Sequence, residues 1–99
     1  MRIAPEQAAA IRALVAELAP AGSSVRLFGS RLDDEARGGD VDLLVDVPLP
    51  VERPAVLGAM IAARAMRVFA GRKVDVVLRA PNLAEQPIHR IAMQEGVLL

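Results

Sequence analysis

Apolar positions change their period several times along the chain, and each change marks an element. Between residues 5 and 19 they fall at Ile11, Leu14, Val15 and Leu18, the spacing of one helix face. Pro5 suits the first turn of that helix, and Pro20 and Gly22 stop it. Val25 to Phe28 is a short apolar run ended by Gly29, which predicts a strand. Ser30 to Arg37 is polar and is expected to form a short helix, broken by Gly38 and Gly39. From Asp40 to Val47 the pattern alternates. Val41, Leu43, Val45 and Val47 share one side, and Asp40, Asp42, Leu44 and Asp46 share the other, which predicts a second strand. Residues 53–70 return to helical spacing, with Leu57, Met60, Ile61 and Val68 on the expected buried side and Gly71 as the stop. Lys73 to Arg79 reads as a third strand, and residues 86–95 as a last helix with Ile88, Ile91 and Ala92 on one face. Val97 to Leu99 is expected to be extended.

This alternation predicts an α/β (α+β) fold, a small mixed β-sheet flanked by helices, as a single domain over residues 1–99. Phe28 and Phe69 are the only aromatic residues, so the core must be built from Ala, Val, Leu, Ile and Met. Apolar residues make up 54% of the chain. With a mean hydropathy of +0.35, some apolar surface should survive folding and call for a partner.

Charge narrows the function classes. Formal net charge is zero, so the basic footprint of a long DNA or RNA ligand is missing. With no Cys, disulfides, thiolate catalysis and Cys-based zinc sites are excluded, and a reducing, cytoplasmic setting fits. Neither a signal peptide nor an apolar run of about 18 residues is present, so no membrane span is expected.

The informative stretch is Phe28-Gly29-Ser30, a nine-residue spacer, then Asp40-Val41-Asp42. Gly29 has no side chain, so a phosphate can approach the backbone closely. Free N–H groups at the start of the following helix, with the Ser30 hydroxyl, would then make an anion site. Asp40 and Asp42, two apart on a strand, point to the same face and repel unless cations sit between them. An all-oxygen ligand set suits Mg²⁺, which completes its shell with water and substrate phosphates. Asp75, inside the apolar run Val74 to Leu78, is the expected third acid on a neighbouring strand. Three carboxylates beside a phosphate cradle can support two metals about 3.5–4 Å apart. Asp46 is in phase with Asp40 and Asp42 and is the rival third acid, although its place just before Pro48 reads better as an exposed strand end. Arg31 is read either as a contact to triphosphate or acids, or as a surface cation beside Asp33 and Asp34, and Arg37 shares that ambiguity. His89 is expected at the surface or an interface with no catalytic role, and Met60 and Met66 in the core or an interface.

Gly29-Ser30-Arg31, the spacer and Asp40-Val41-Asp42-Leu43-Leu44-Val45 resemble the signature of the DNA polymerase β-type nucleotidyltransferase superfamily, in its minimal branch. Gly39 stands where many relatives carry Ser. The resemblance implies a nucleotidyltransferase fold that uses ATP, or another nucleoside triphosphate, with two Mg²⁺ ions. It implies Asp40, Asp42 and Asp75 as metal-binding catalytic acids and Gly29, Ser30 and Arg31 as the nucleotide cradle. Minimal members often serve as the antitoxin of a toxin–antitoxin pair, and the implied partner resembles a helical HEPN ribonuclease silenced by adenylylation of a Tyr. A protein acceptor is therefore expected. The alternatives are an antitoxin that neutralises its toxin by contact with little chemistry, and one subunit of a two-chain antibiotic-modifying transferase. Self-association would compete for the same apolar surface.

Overall fold

A computed structural model describes residues 3–29 and 41–99. Three helices and four strands alternate along them: α1 (Pro5–Leu18), β1 (Ser24–Phe28), β2 (Val41–Asp46), α2 (Pro54–Val68), β3 (Val74–Arg79), α3 (Pro87–Glu95) and β4 (Val97–Leu98). Each helix begins on a proline in its first turn, where the missing N–H costs nothing and the fixed φ already suits a helix. Gln7 accepts the Ala4 N–H at the start of α1. At the other end of α2, Ala70 and Gly71 both take positive φ, and the Gly71 N–H returns to the Met66 carbonyl.

The strands form one mixed sheet in the order β3-β2-β1-β4. β1 pairs antiparallel with both β2 and β4, and β2 pairs parallel with β3 through the α2 crossover. The alternation in β2 sorts the two faces. Val41, Leu43, Val45 and Val47 are fully or almost fully buried, packed with Val25 and Leu27 of β1 against α1 and α2. Ile11, Leu14 and Val15 supply the α1 side of this core, and Ile61 and Ala65 the α2 side. On the opposite face Phe28, Leu44 and Ala92 form a smaller cluster, with Val77 and Met93 against it, covered by α3.

Two helix faces differ from the expectation. Met60 is 47% exposed, because the buried row of α2 runs through Leu57, Ile61, Ala65 and Val68 and leaves Met60 about 100° round the helix. Met66 is exposed as well. In α3 the buried residues are His89 and Ala92, while Ile88 and Ile91 face outward. His89 is therefore a core residue rather than a surface one. Its Nδ1 accepts the Gln86 N–H at 2.8 Å, and its Nε2 lies 2.8 Å from the Leu78 carbonyl oxygen. Lys73 and Arg79 direct their carbonyls to β2, so alternation along β3 turns the Leu78 carbonyl to the outer edge, where the imidazole satisfies it. No helix among the described residues is long and apolar enough to cross a membrane.

Candidate active site

One end of the smaller-core face gathers the end of β1 and the starts of β2 and β3. The register pairs Phe28 with Asp42 and Asp42 with Asp75, so these three side chains stand in a row on the same face. Neighbouring strands lie about 4.8 Å apart, which makes Asp42 and Asp75 immediate neighbours. Both are partly buried. Phe28, buried beside them, makes the floor at this end apolar.

Gly29 follows β1 with φ +77°, in the left-handed region. A Cβ added there would collide with Oδ2 of Asp42 and lie 3.1 Å from its Cγ. The Asp42 carboxylate thus rests against the Gly29 α-carbon. Two independent constraints, backbone conformation and close approach, demand glycine at this position.

Lys73, one residue before β3 and two before Asp75, shares the side of the sheet with Asp75. Its Nζ is 3.7 Å from Asp75 Oδ1 in an ion pair open to solvent. The sequence pattern did not single out Lys73, although strand periodicity from Asp75 back to position 73 contained the signal.

Three residues expected at this site, Ser30, Arg31 and Asp40, lie outside the described residues, as does Arg37. Among the described residues no group of three or more acidic or imidazole side chains is gathered around one point. Asp42 and Asp75 still fit a divalent cation chemically. They offer hard oxygen donors from adjacent strands, partly open to solvent, beside a glycine backbone that a phosphate can approach.

Asp46 belongs elsewhere. Four residues beyond Asp42 at about 3.3 Å per residue, it stands about 13 Å away along the strand. It is the register partner of Arg79, whose Nη1 donates to both Asp46 oxygens at 3.3 Å while its Nε donates to Glu85 at 3.4 Å. The charge of Asp46, then its hydrogen bonds, hold the Arg79 pKa above its ordinary value. These groups line a cleft of about 540 Å³ with Val47, Pro48, Pro81 and His89. It opens at the carboxyl ends of β2 and β3, the end where parallel sheets usually bind ligands. Here, however, Arg79 is already shared between two carboxylates, and both nitrogens of His89 are engaged by backbone. At the other end Asp42 and Asp75 stand side by side at equivalent positions on adjacent strands.

Comparison with known proteins agrees with the fold. The family model described as a nucleotidyltransferase domain matches residues 9–99. No curated protein matches the chain.

Proposed function

Because the chain belongs to the nucleotidyltransferase domain family, we propose that it transfers AMP from ATP to a hydroxyl group of a protein acceptor, using Asp40, Asp42 and Asp75 around two Mg²⁺ ions. The observation that carries this reading is the Asp42–Asp75 register pair, with the Asp42 carboxylate laid against Gly29. In the reaction an acceptor oxygen attacks the α-phosphorus, the bond to the β-phosphate bridging oxygen breaks, and pyrophosphate leaves. When bound, the metals would activate the attacking oxygen and stabilise the departing pyrophosphate. Gly29, with Ser30 and Arg31 beside it in sequence, would receive the triphosphate. Asp75, its side chain 45% exposed on the edge strand, would meet the acceptor and take up the hydroxyl proton.

A protein acceptor is supported by apolar surface away from the site. Val56, Met60 and Met66 are exposed on α2, as are Ile88 and Ile91 on α3 and Leu98 on β4. Val56 and Met60, one turn apart on the outer side of α2, offer an apolar contact to a docked protein. The acceptor proposed is a helical HEPN-like toxin in the cytoplasm, for which this chain acts as antitoxin. Co-expression of the chain with such a partner, followed by size-exclusion chromatography and intact mass measurement, tests both parts. The expected outcome is co-elution and addition of one or more AMP units to the partner, abolished by Asp42→Asn while far-UV circular dichroism stays unchanged. Full transfer by Asp42→Asn would remove the metal mechanism, and co-elution without added mass would leave an antitoxin that acts by contact alone.

A further inference from the structure

Within α2 only Arg64 and Arg67 carry polar side chains; every other residue is apolar, Gly or Pro. A helix apolar on all sides is ordinarily buried, yet α2 is covered on one side only. Ile61 and Ala65 face the core, whereas Ala55, Val56, Ala59, Met60, Ala63 and Met66 are exposed. At about 100° per residue these six fall within an arc of about 140°, opposite the buried side. Val56, Met60 and Met66 are 50%, 47% and 40% exposed. Arg64 leaves this face for α1, where it pairs with Glu17. Charge is confined to the two ends of the face, with Glu52 and the N-cap Arg53 at its start and Arg67 in the last turn. Among the described residues neither Glu52 nor Arg67 takes part in an ion pair.

We propose that α2 of a second copy of this chain covers the face, packed antiparallel about a two-fold axis that passes between Ala59 and Met60. The charges at the two ends select this arrangement. In that register Glu52 of each copy stands at the height of Arg67 of the other, so both ends of the contact join opposite charges. A parallel pair would set Glu52 beside Glu52 and Arg67 beside Arg67. Antiparallel packing also brings the positive end of each helix dipole to the negative end of the other. The middle of the face fits the same register. Met60 stands at the height of Ala59 of the second copy, and Val56 at that of Ala63, so each larger side chain meets an alanine and no charge is buried. A two-fold contact of this kind uses one patch on both copies and closes. The 15 residues of α2 make a strip about 22 Å long and about 10 Å wide, less than the roughly 1,200 Å² at which stable interfaces begin. The dimer is therefore weak and forms with rising concentration. A protein acceptor that docks on Val56 and Met60 takes the place of the second copy.

Sedimentation velocity of the whole chain, from about 10 μM to about 1 mM, tests this. The unaltered protein should pass from monomer to dimer as concentration rises. Met60→Glu sets two carboxylates near the axis and should stay monomeric throughout. Its melting temperature, measured at low concentration, should match that of the unaltered protein because the position is exposed. Glu52→Arg and Arg67→Glu should each weaken the dimer by about tenfold or more, since both ends pass from attraction to repulsion at about twofold each way. Mixed in equal amounts, those two variants should pair with each other, because one carries positive charge at both ends of the face and the other negative charge at both. The double variant Glu52→Arg/Arg67→Glu should regain the unaltered affinity, which separates the end-to-end pairing from an effect of net charge. Arg53 is common to all of these chains and cancels from the comparison. A protein that stays monomeric to about 1 mM overturns the inference, as does a dimer indifferent to Met60→Glu. Single charge variants that dimerise normally, a mixture that fails to pair, or a double variant that does not recover each overturn the antiparallel register. None of these outcomes bears on nucleotide transfer, which Asp42→Asn tests separately.

Discussion

Replacing Gly29 by Ala tests the contact that defines the candidate site, and Gly71 provides a matched control. Both glycines hold the left-handed conformation, at φ +77° and +87°. Forcing an L side chain into that region costs about 1–2 kcal/mol at either position. The surroundings differ. A Cβ at Gly71 meets nothing within 4 Å, whereas one at Gly29 strikes the Asp42 carboxylate. Gly71→Ala should therefore show the conformational cost alone, a loss of about 4–16 °C in melting temperature for a domain of this size. Gly29→Ala should lose that and, in addition, push Asp42 off its position against the backbone. Overpacking of this kind adds about 1–3 kcal/mol, and a misplacement of about 1 Å at a reacting centre costs about a hundredfold in rate. Thermal melts, Mn²⁺ titration and nucleotide transfer, each measured well below the melting temperature, separate the two effects. If Gly29→Ala matches Gly71→Ala within about twofold in metal affinity and transfer, the Gly29–Asp42 contact has no part in the site.

Two further predictions concern the fold and its charges. His89→Ala should destabilise the protein by about 2–4 kcal/mol, because it strips partners from the part-buried Leu78 carbonyl and Gln86 N–H and opens a cavity under α3 where the buried ring sat. Since an N–H can only donate and a carbonyl only accept, the ring must carry its proton on Nε2, and ¹⁵N chemical shifts reporting the Nδ1–H tautomer would contradict this arrangement. Glu17 accepts a 2.8 Å hydrogen bond from Arg64, and that bond, followed by the charge of Arg64, lowers the Glu17 pKa below its ordinary 4.5. The sign follows from the lowered value: any stabilisation from the pair is present above about pH 4.5 and is lost as pH falls through the folded pKa. Arg64→Ala should return the Glu17 titration, followed by NMR, to the ordinary range; an unchanged midpoint refutes the assignment.

Much of the fold was legible because burial on β2 is nearly binary. Four odd-numbered apolar residues from Val41 to Val47, all buried, alternate with Asp42, Leu44 and Asp46, and a period of two permits one reading. The helices were harder. In α2 small apolar residues surround the whole circumference, so Met60 looked as suitable for the core as Ala65, and only the position of β3 decides between them. In α3 the greater hydrophobicity of Ile88 and Ile91 pointed away from the true buried face. The sheet lies close enough there to take only a small side chain at Ala92, and it offers an orphan carbonyl that selects His89. Asp46 has the same phase as Asp42, and no pattern within β2 separates them. Their roles diverge through β3, where the register sets Arg79 opposite the one and Asp75 opposite the other.

The short α3 leaves room for that divergence at both ends of the sheet face. With nine residues at 1.5 Å each, α3 is about 13 Å long. It covers the middle of the sheet face, over Phe28 and Leu44, and Asp42, Asp46 and Asp75 at the strand ends stay partly exposed. Charged residues are tolerable at those ends only where water, a counter-charge or a bound ion compensates them. At the Asp46 end the protein supplies compensation in the form of Arg79, shared with Glu85. At the Asp42 end the register sets carboxylate beside carboxylate, with Lys73 at 3.7 Å from Asp75. Stability alone favours the first arrangement at both ends, because like charges opposite one another on adjacent strands are destabilising. A sheet that sets Arg79 opposite Asp46 at one end and two acids side by side at the other, against a glycine that admits nothing larger, has at the Asp42 end the hard oxygen donors that a divalent cation prefers.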